Sequence, residues 1–205
     1  MLHPFSSREC MIYQRAKQDL RQCILDQDAE AAEAVLARCA DDAVAPDVVL
    51  FTMLMRCYVK RRDYPQARQV LTRMQAAGVQ PTVVTYNTLL SCCASCGQGV
   101  QAQRLVQHMT VVPDVVTYNT LLSCYKHCPG SRFMMQAIVR TMKQAGIQPD
   151  CITYNTLLSR CAFEQDRAGA QRVLAQMHRE SIVPDDITHD ILRRCRVGCR
   201  VKPRV

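Results

Sequence analysis

The sequence predicts an all-α fold, an α-solenoid of helix-turn-helix repeats about 35 residues long. Two observations carry that prediction. One is a phrase of a dozen residues that recurs: PTVVTYNTLLSC at 81–92 and PDVVTYNTLLSC at 113–124 agree at 11 of 12 places, and PDCITYNTLLSR follows at 149–160. The other is a beat of prolines. Pro46, Pro81, Pro113, Pro149 and Pro184 stand 35, 32, 36 and 35 residues apart, each followed by Asp or Thr and then by an apolar run containing Thr. A helix pair cannot bury its apolar stripe alone, and stacking on copies of itself supplies the missing partner.

The elements follow in order. Residues 1–47 form an N-terminal segment whose later part, from about 13, is a degenerate capping repeat. Four full repeats follow at 48–82, 83–114, 115–150 and 151–185, and residues 186–205 hold a partial capping repeat and a basic tail. In each repeat the first helix begins near VTYNTLL, with Thr85, Thr117 or Thr153 placed to cap its N-terminus. Its apolar positions recur at helical spacing, as in Tyr86, Leu89, Leu90 and Cys93. The second helix carries an i, i+3, i+4, i+7 column: Ala67, Val70, Leu71 and Met74, then Ala102, Leu105, Val106 and Met109, then Ala170, Val173, Leu174 and Met177. The leading unit keeps it as Ala32, Val35, Leu36 and Cys39. Gly78 and Gly146 end their helices, with Pro three residues on. Cys57, Cys92, Cys124 and Cys195 share one column of the first helix, where a small side chain permits close helix packing. The repeat at 83–114 is three residues short and has no linker Gly; that at 115–150 is one residue long around Pro129 and Gly130.

Composition bounds the function. Hydrophobic content of 48% and 21% charged residues describe a folded chain rather than a disordered one. The run VVLFTMLM at 48–55 is far too short to span a bilayer, so no membrane role is expected. The first 25 residues lack the apolar core of a secretory signal; Arg8, Arg15, Lys17 and Arg21 against Glu9 and Asp19 make a weak organelle-targeting pattern. Thirteen scattered Cys point to a reducing compartment. The formal charge is +8, yet Arg193, Arg194, Arg196, Arg200, Lys202 and Arg204 crowd the last 13 residues, and the rest of the chain is only +2. Blocks of like charge are often arms that bind nucleic acid.

A tetratricopeptide array would show a Trp and a Leu-Gly pair, and this chain has neither. The three YNTLL segments, the late Met of the second helix and the linker G-[VI]-Q-P-[DT] instead resemble the pentatricopeptide repeat family, over about residues 48–195. The resemblance implies a right-handed α-solenoid that binds single-stranded RNA in mitochondria or plastids, about one base per repeat. It implies base-reading pairs at Asn87 with Asp114, Asn119 with Asp150, Asn155 with Asp185, and Thr52 with Thr82. An Asn–Asp pair favours uracil in the family, and an amide's acceptor and donors suit the uracil edge. Val49, Val84, Val116, Ile152 and Ile187 match the residues that wedge between bases. The family's phosphate-contacting column holds Lys60, Ser95, His127 and Phe163 here, so Lys60 and the six tail cations are the expected phosphate contacts.

Catalytic and metal motifs dissolve on inspection. Cys93 and Cys96 make a C-x-x-C with no second pair to complete a zinc site. His178 and Glu180 spell H-x-E, but the P-C-x-x-C that follows it in zinc deaminases is absent. Nothing suggests a cofactor, and no nuclease or deaminase domain follows the last repeat, so a non-catalytic protein is expected. Two roles stand open: a sequence-preferring binder of single-stranded, U-containing RNA in mitochondrial RNA metabolism, and a structural subunit of a mitochondrial ribosome or RNA-processing complex. The partners are accordingly single-stranded or ribosomal RNA and other proteins of a ribonucleoprotein.

Overall fold

The computed structural model describes residues 7–126, 128 and 130–195. Among them are eleven α-helices and no strand: α1 (Ser7–Asp26), α2 (Ala29–Asp41), α3 (Val48–Lys60), α4 (Tyr64–Ala76), α5 (Val83–Cys96), α6 (Gly99–Gln107), α7 (Val115–Tyr125), α8 (Arg132–Gln144), α9 (Cys151–Phe163), α10 (Arg167–Arg179) and α11 (Asp186–Arg194). No helix among the described residues is long and apolar enough to cross a membrane.

Seven of these helices open on the same device. Asp28, Asp47, Asp63, Asp114, Asp150, Asp166 and Asp185 are N-caps whose carboxylates accept backbone N–H bonds from two or three residues further on. The negative charge there also meets the positive end of the helix dipole. Thr117 and Thr153, expected from the sequence to be the caps, stand one turn inside: each is the third helical residue and returns a bond to its Asp, a reciprocal capping box. Thr85 is likewise inside α5, exchanging bonds with Thr82. Helix ends are as uniform. Gln27, Ala43, Arg62, Gly78, Gly97, Gly146, Gln165 and Ser181 all adopt the left-handed conformation just past a helix. At Gly78 and Gly146 the next N–H bonds back to Met74 and Met142, both at 3.0 Å, which closes the last turn.

Two compact units divide the chain. One contains α1 to α5 with residues 104–112; the other contains residues 97–103 and the chain from Pro113 on, so that α6 is shared. In the first, α1 packs on α2 and α3, and α3 packs in turn on α2, α4 and α5. In the second, α7 packs on α8 and α9, and α9 on α8, α10 and α11. The expected columns fill these cores: Ala32, Val35, Leu36 and Cys39 are buried, as are Ala67, Val70, Leu71 and Met74. Ala170 and Met177 are buried, with Val173 and Leu174 half-buried between them.

The column in α6 departs from expectation. Ala102 is buried, but Leu105 and Val106 are only half-buried, and the helix stops at Gln107, leaving Met109 beyond it. The short repeat has no linker Gly to cap a full-length helix. His108 closes the end instead, its Nδ1 lying 2.7 Å from the Arg104 carbonyl. Where Gly99 opens this helix, an added Cβ would come within 2.5–2.9 Å of the Tyr125 ring. The cysteine column is buried throughout, at Cys57, Cys92, Cys124 and Cys195.

Candidate nucleic-acid interface

The residues of interest lie on the first helix of each repeat. Val49, Val84, Val116, Ile152 and Ile187 are each the second residue of their helix, in α3, α5, α7, α9 and α11, and each is exposed, between 39% and 66%. One apolar side chain is thus left partly in water at the same register of five helices. It has the shape and character to contact the faces of bases.

Three residues on, the column expected from the sequence to read bases turns inward. In the second unit Asn119 Nδ2 donates to Asp150 Oδ1 at 3.0 Å, and Thr153 Oγ1 donates to Asn119 Oδ1 at 2.6 Å. The same arrangement recurs one repeat later. Asn155 Nδ2 donates to Asp185 Oδ1 at 3.1 Å, and Thr188 Oγ1 donates to Asn155 Oδ1 at 2.7 Å. The structure therefore brings together both Asn–Asp pairs that lie wholly within this unit. An amide so held has a second N–H and a second acceptor lone pair to offer, a donor and an acceptor side by side. At Asn155 the second N–H meets only the Cys151 sulfur, a weak acceptor 3.7 Å away.

The pair in the first unit is linked indirectly. Thr52 Oγ1 lies 3.1 Å from Thr85 Oγ1, and Thr85 Oγ1 lies 3.3 Å from Thr82 Oγ1. Asn87 and Asp114 belong to different units: Asn87 is half-buried in α5, and Asp114 caps α7 through Thr117 N at 2.7 Å.

The buried threonines, read from the sequence as caps, link the columns instead. Thr85, Thr117, Thr153 and Thr188 are fully buried, and Thr85, Thr153 and Thr188 each join a reader of the preceding repeat to the cap of their own helix. The D-x-x-T spacing at 114–117, 150–153 and 185–188 carries that signal in the sequence. Electrostatics agree with the geometry. Burial opposes ionisation of Asp150, but the Thr153 N–H, the Asn119 amide and the Thr153 hydroxyl outweigh it and hold the carboxyl below its usual range. Hydrogen bonds from the Thr188 hydroxyl and N–H, with help from Asn155, hold Asp185 far below it.

Cations are sparse. Lys60 is exposed at the end of α3. Ser95, in the same column, turns its hydroxyl back to the Ser91 carbonyl at 2.8 Å, and Phe163 packs its ring 5.3 Å from the Arg160 guanidinium. Arg193 pairs with Asp190, and Arg194 is exposed beside it. His127 and the remaining expected phosphate contacts, Arg196, Arg200, Lys202 and Arg204, lie outside the described residues. Among the described residues no three His, Cys, Asp or Glu side chains gather as a metal site requires.

Stacked helix pairs, capped by Asp and presenting a repeated donor–acceptor column, define a helical repeat protein with one set of contacts per repeat. Comparison with known families makes the identification specific. The family model of the pentatricopeptide repeat domain matches residues 21–95 and 137–194, and that of the PPR repeat family matches 81–127. The chain belongs to the pentatricopeptide repeat family. Among solved structures it is similar to maize PPR10, at TM-score 0.74 and 22% identity over 89% of this chain. It is similar also to PPR10 in complex with an 18-nt psaJ RNA element, at TM-score 0.75, 21% identity and 92% coverage. A third is the PPR domain of Arabidopsis thaliana protein-only RNase P 1 in complex with tRNA, at TM-score 0.67 and 14% identity; 89% of this chain covers 97% of that one. The chain spans only 27% to 29% of the two PPR10 structures. In sequence, no curated protein matches.

Proposed function

We propose that this protein binds single-stranded RNA through the first-helix face and prefers uracil where an Asn–Asp pair faces the base. The observation that carries the reading is the pre-formed Asn–Thr–Asp cluster, present twice with matching distances. A site whose donors and acceptors are already fixed loses little entropy on meeting its ligand. The exposed apolar column supplies stacking contacts at the same repeat spacing. Two similar structures, of PPR10 and of the Arabidopsis RNase P domain, are RNA complexes, which supports the same class of partner here. The protein is non-catalytic in this reading and acts in mitochondrial RNA metabolism, with a plastid as the other setting the family allows.

A second reading, a structural subunit of a mitochondrial ribosome or RNA-processing complex, is favoured by the near balance of charge outside the last 13 residues, only +2, and by the basic end of the chain. Phosphate neutralisation supplies most sequence-independent affinity, and its loss with salt reports how many phosphates are contacted. The two readings separate when U-rich and A-rich RNAs are titrated at several salt concentrations against the full chain and a form ending at Cys195. Base reading predicts a preference for U-rich RNA that survives the truncation. Binding that ignores sequence and disappears with residues 196–205 would contradict it.

A further inference from the structure

The second unit contains an open cleft of about 450 Å³ lined by α8, α9 and α10, on the side of α9 away from Asn155. Four arginines line it, Arg132, Arg160, Arg172 and Arg179, with no Asp or Glu, and its walls include Leu157 and Val173. The volume falls within the ordinary range for small-molecule sites.

Arg160 is the unexpected member. It stands at the position occupied by Cys57, Cys92, Cys124 and Cys195 in the other repeats, where a small thiol fills the helix contact. Here a cation is buried instead, with 3% exposure. Its two terminal nitrogens reach Glu164 and, at 3.4 Å, the Lys126 carbonyl, while Nε is buried with no hydrogen-bond partner. A buried guanidinium with an unmatched N–H is destabilising, and a cysteine would avoid that. The nearby carboxylates do not balance the site. Asp166 meets Arg132, an approach that Gly169 permits because a Cβ there would collide with both, and it lies 3.8 Å from Arg172. With Glu164 on Arg160, two anions stand against four cations.

We infer that this cleft is a binding site for an organic phosphate of mononucleotide size. The guanidiniums hold the phosphate, whose oxygens match their planar forks, and the apolar walls take the ring. The same chemistry is offered by a free nucleotide and by the 5′-phosphorylated end of an RNA. The site is independent of the base-reading face and stands or falls apart from it.

The test is calorimetric titration of the full chain with AMP, UMP and inorganic phosphate, comparing wild type with Arg160→Cys and Arg172→Gln. Arg160→Cys restores the residue the other repeats use, so it folds and melts at or above the wild-type temperature. Arg172 is largely exposed, with 66% of its side chain accessible, so its substitution leaves the fold intact. The inference predicts that both nucleotides bind more tightly than inorganic phosphate and that each variant weakens them about tenfold or more. Displacement of AMP by a 5′-phosphorylated A-rich pentamer, and not by its 5′-hydroxyl form, assigns the site to an RNA end; failure of both pentamers assigns it to the free nucleotide. Nucleotides binding no better than inorganic phosphate, or both variants binding like wild type, would overturn the inference.

Discussion

At the scale of single residues, buried groups have their chemistry fixed by what surrounds them. Burial pushes the Cys57, Cys92 and Cys93 thiols up to about 12, which keeps them protonated and unreactive at neutral pH. Cys10 is exposed. A maleimide titration at pH 7 of the native protein is therefore expected to label Cys10 and spare those three, and fast labelling of any of the three would contradict their packing role. Thr153 and Thr188 make a sharper case. Each hydroxyl accepts its cap's backbone N–H and faces both an Asn and an Asp oxygen, so Thr→Val keeps the shape and strands buried polar groups. We expect each substitution to cost about 1–3 kcal/mol in chemical denaturation. The same substitution releases the reader amide and is expected to weaken any preference for uracil. The role of these threonines was hidden because a Thr ahead of an apolar run reads as a cap. The Asp three residues earlier is the stronger cap, and it claims that position.

At the scale of elements, the Asp caps tie helix stability to pH. Asp150, Asp166 and Asp185 are all held below the ordinary carboxylate range in the folded chain. A depressed folded value means the stabilisation is fully present above the unfolded value, about pH 4, and is lost as pH falls from there through the folded values. Thermal melting is expected to be flat in this contribution from pH 5 to 7 and to drop below pH 4; Asp150→Asn should reduce the drop. A melting temperature that rises on acidification would contradict it. Helix ends give an independent check. Gly146 has a φ of +77° with open space where a Cβ would be added, so Gly146→Ala meets backbone strain alone and is expected to cost about 1 kcal/mol. The period, the helix pairs and the buried columns of α2 and α4 were legible because each residue there obeys the helical spacing. The left-handed ends at Gln27, Ala43, Arg62, Gln165 and Ser181 were not, since no Gly marks them; each is exposed, and the N–H that follows it bonds back into the helix it closes, as Asp28 N does to the Cys23 carbonyl at 3.0 Å. The shortened α6 was unreadable for a related reason: Leu105, Val106 and Met109 keep the apolar pattern after the repeat has become too short to bury them.

At the scale of the whole molecule, one column of side chains, repeated along the chain, is proposed to read bases. Its apolar members were marked by the family resemblance, and the structure leaves all five exposed at one register of their helices. The pairing of Asn119 with Asp150 and of Asn155 with Asp185 came with the family resemblance; the buried Thr that joins each pair did not, because it lies 34 or 33 positions from its Asn. The most direct measurement uses a substitution the protein already contains. Thr52 occupies the reader column in its own repeat and keeps a bond to the buried Thr of the next helix. Replacing Asn87, Asn119 and Asn155 together by Thr therefore removes the amides while retaining a hydroxyl to meet Thr153 and Thr188. The test compares the affinities of wild type and this triple variant for U-rich and A-rich RNA at one salt concentration. Base reading predicts a U preference in the wild type of about 1–3 kcal/mol per reader at most, abolished in the variant while the melting temperature changes little. Equal affinity for both RNAs in the wild type, or a U preference that persists in the variant, would contradict it.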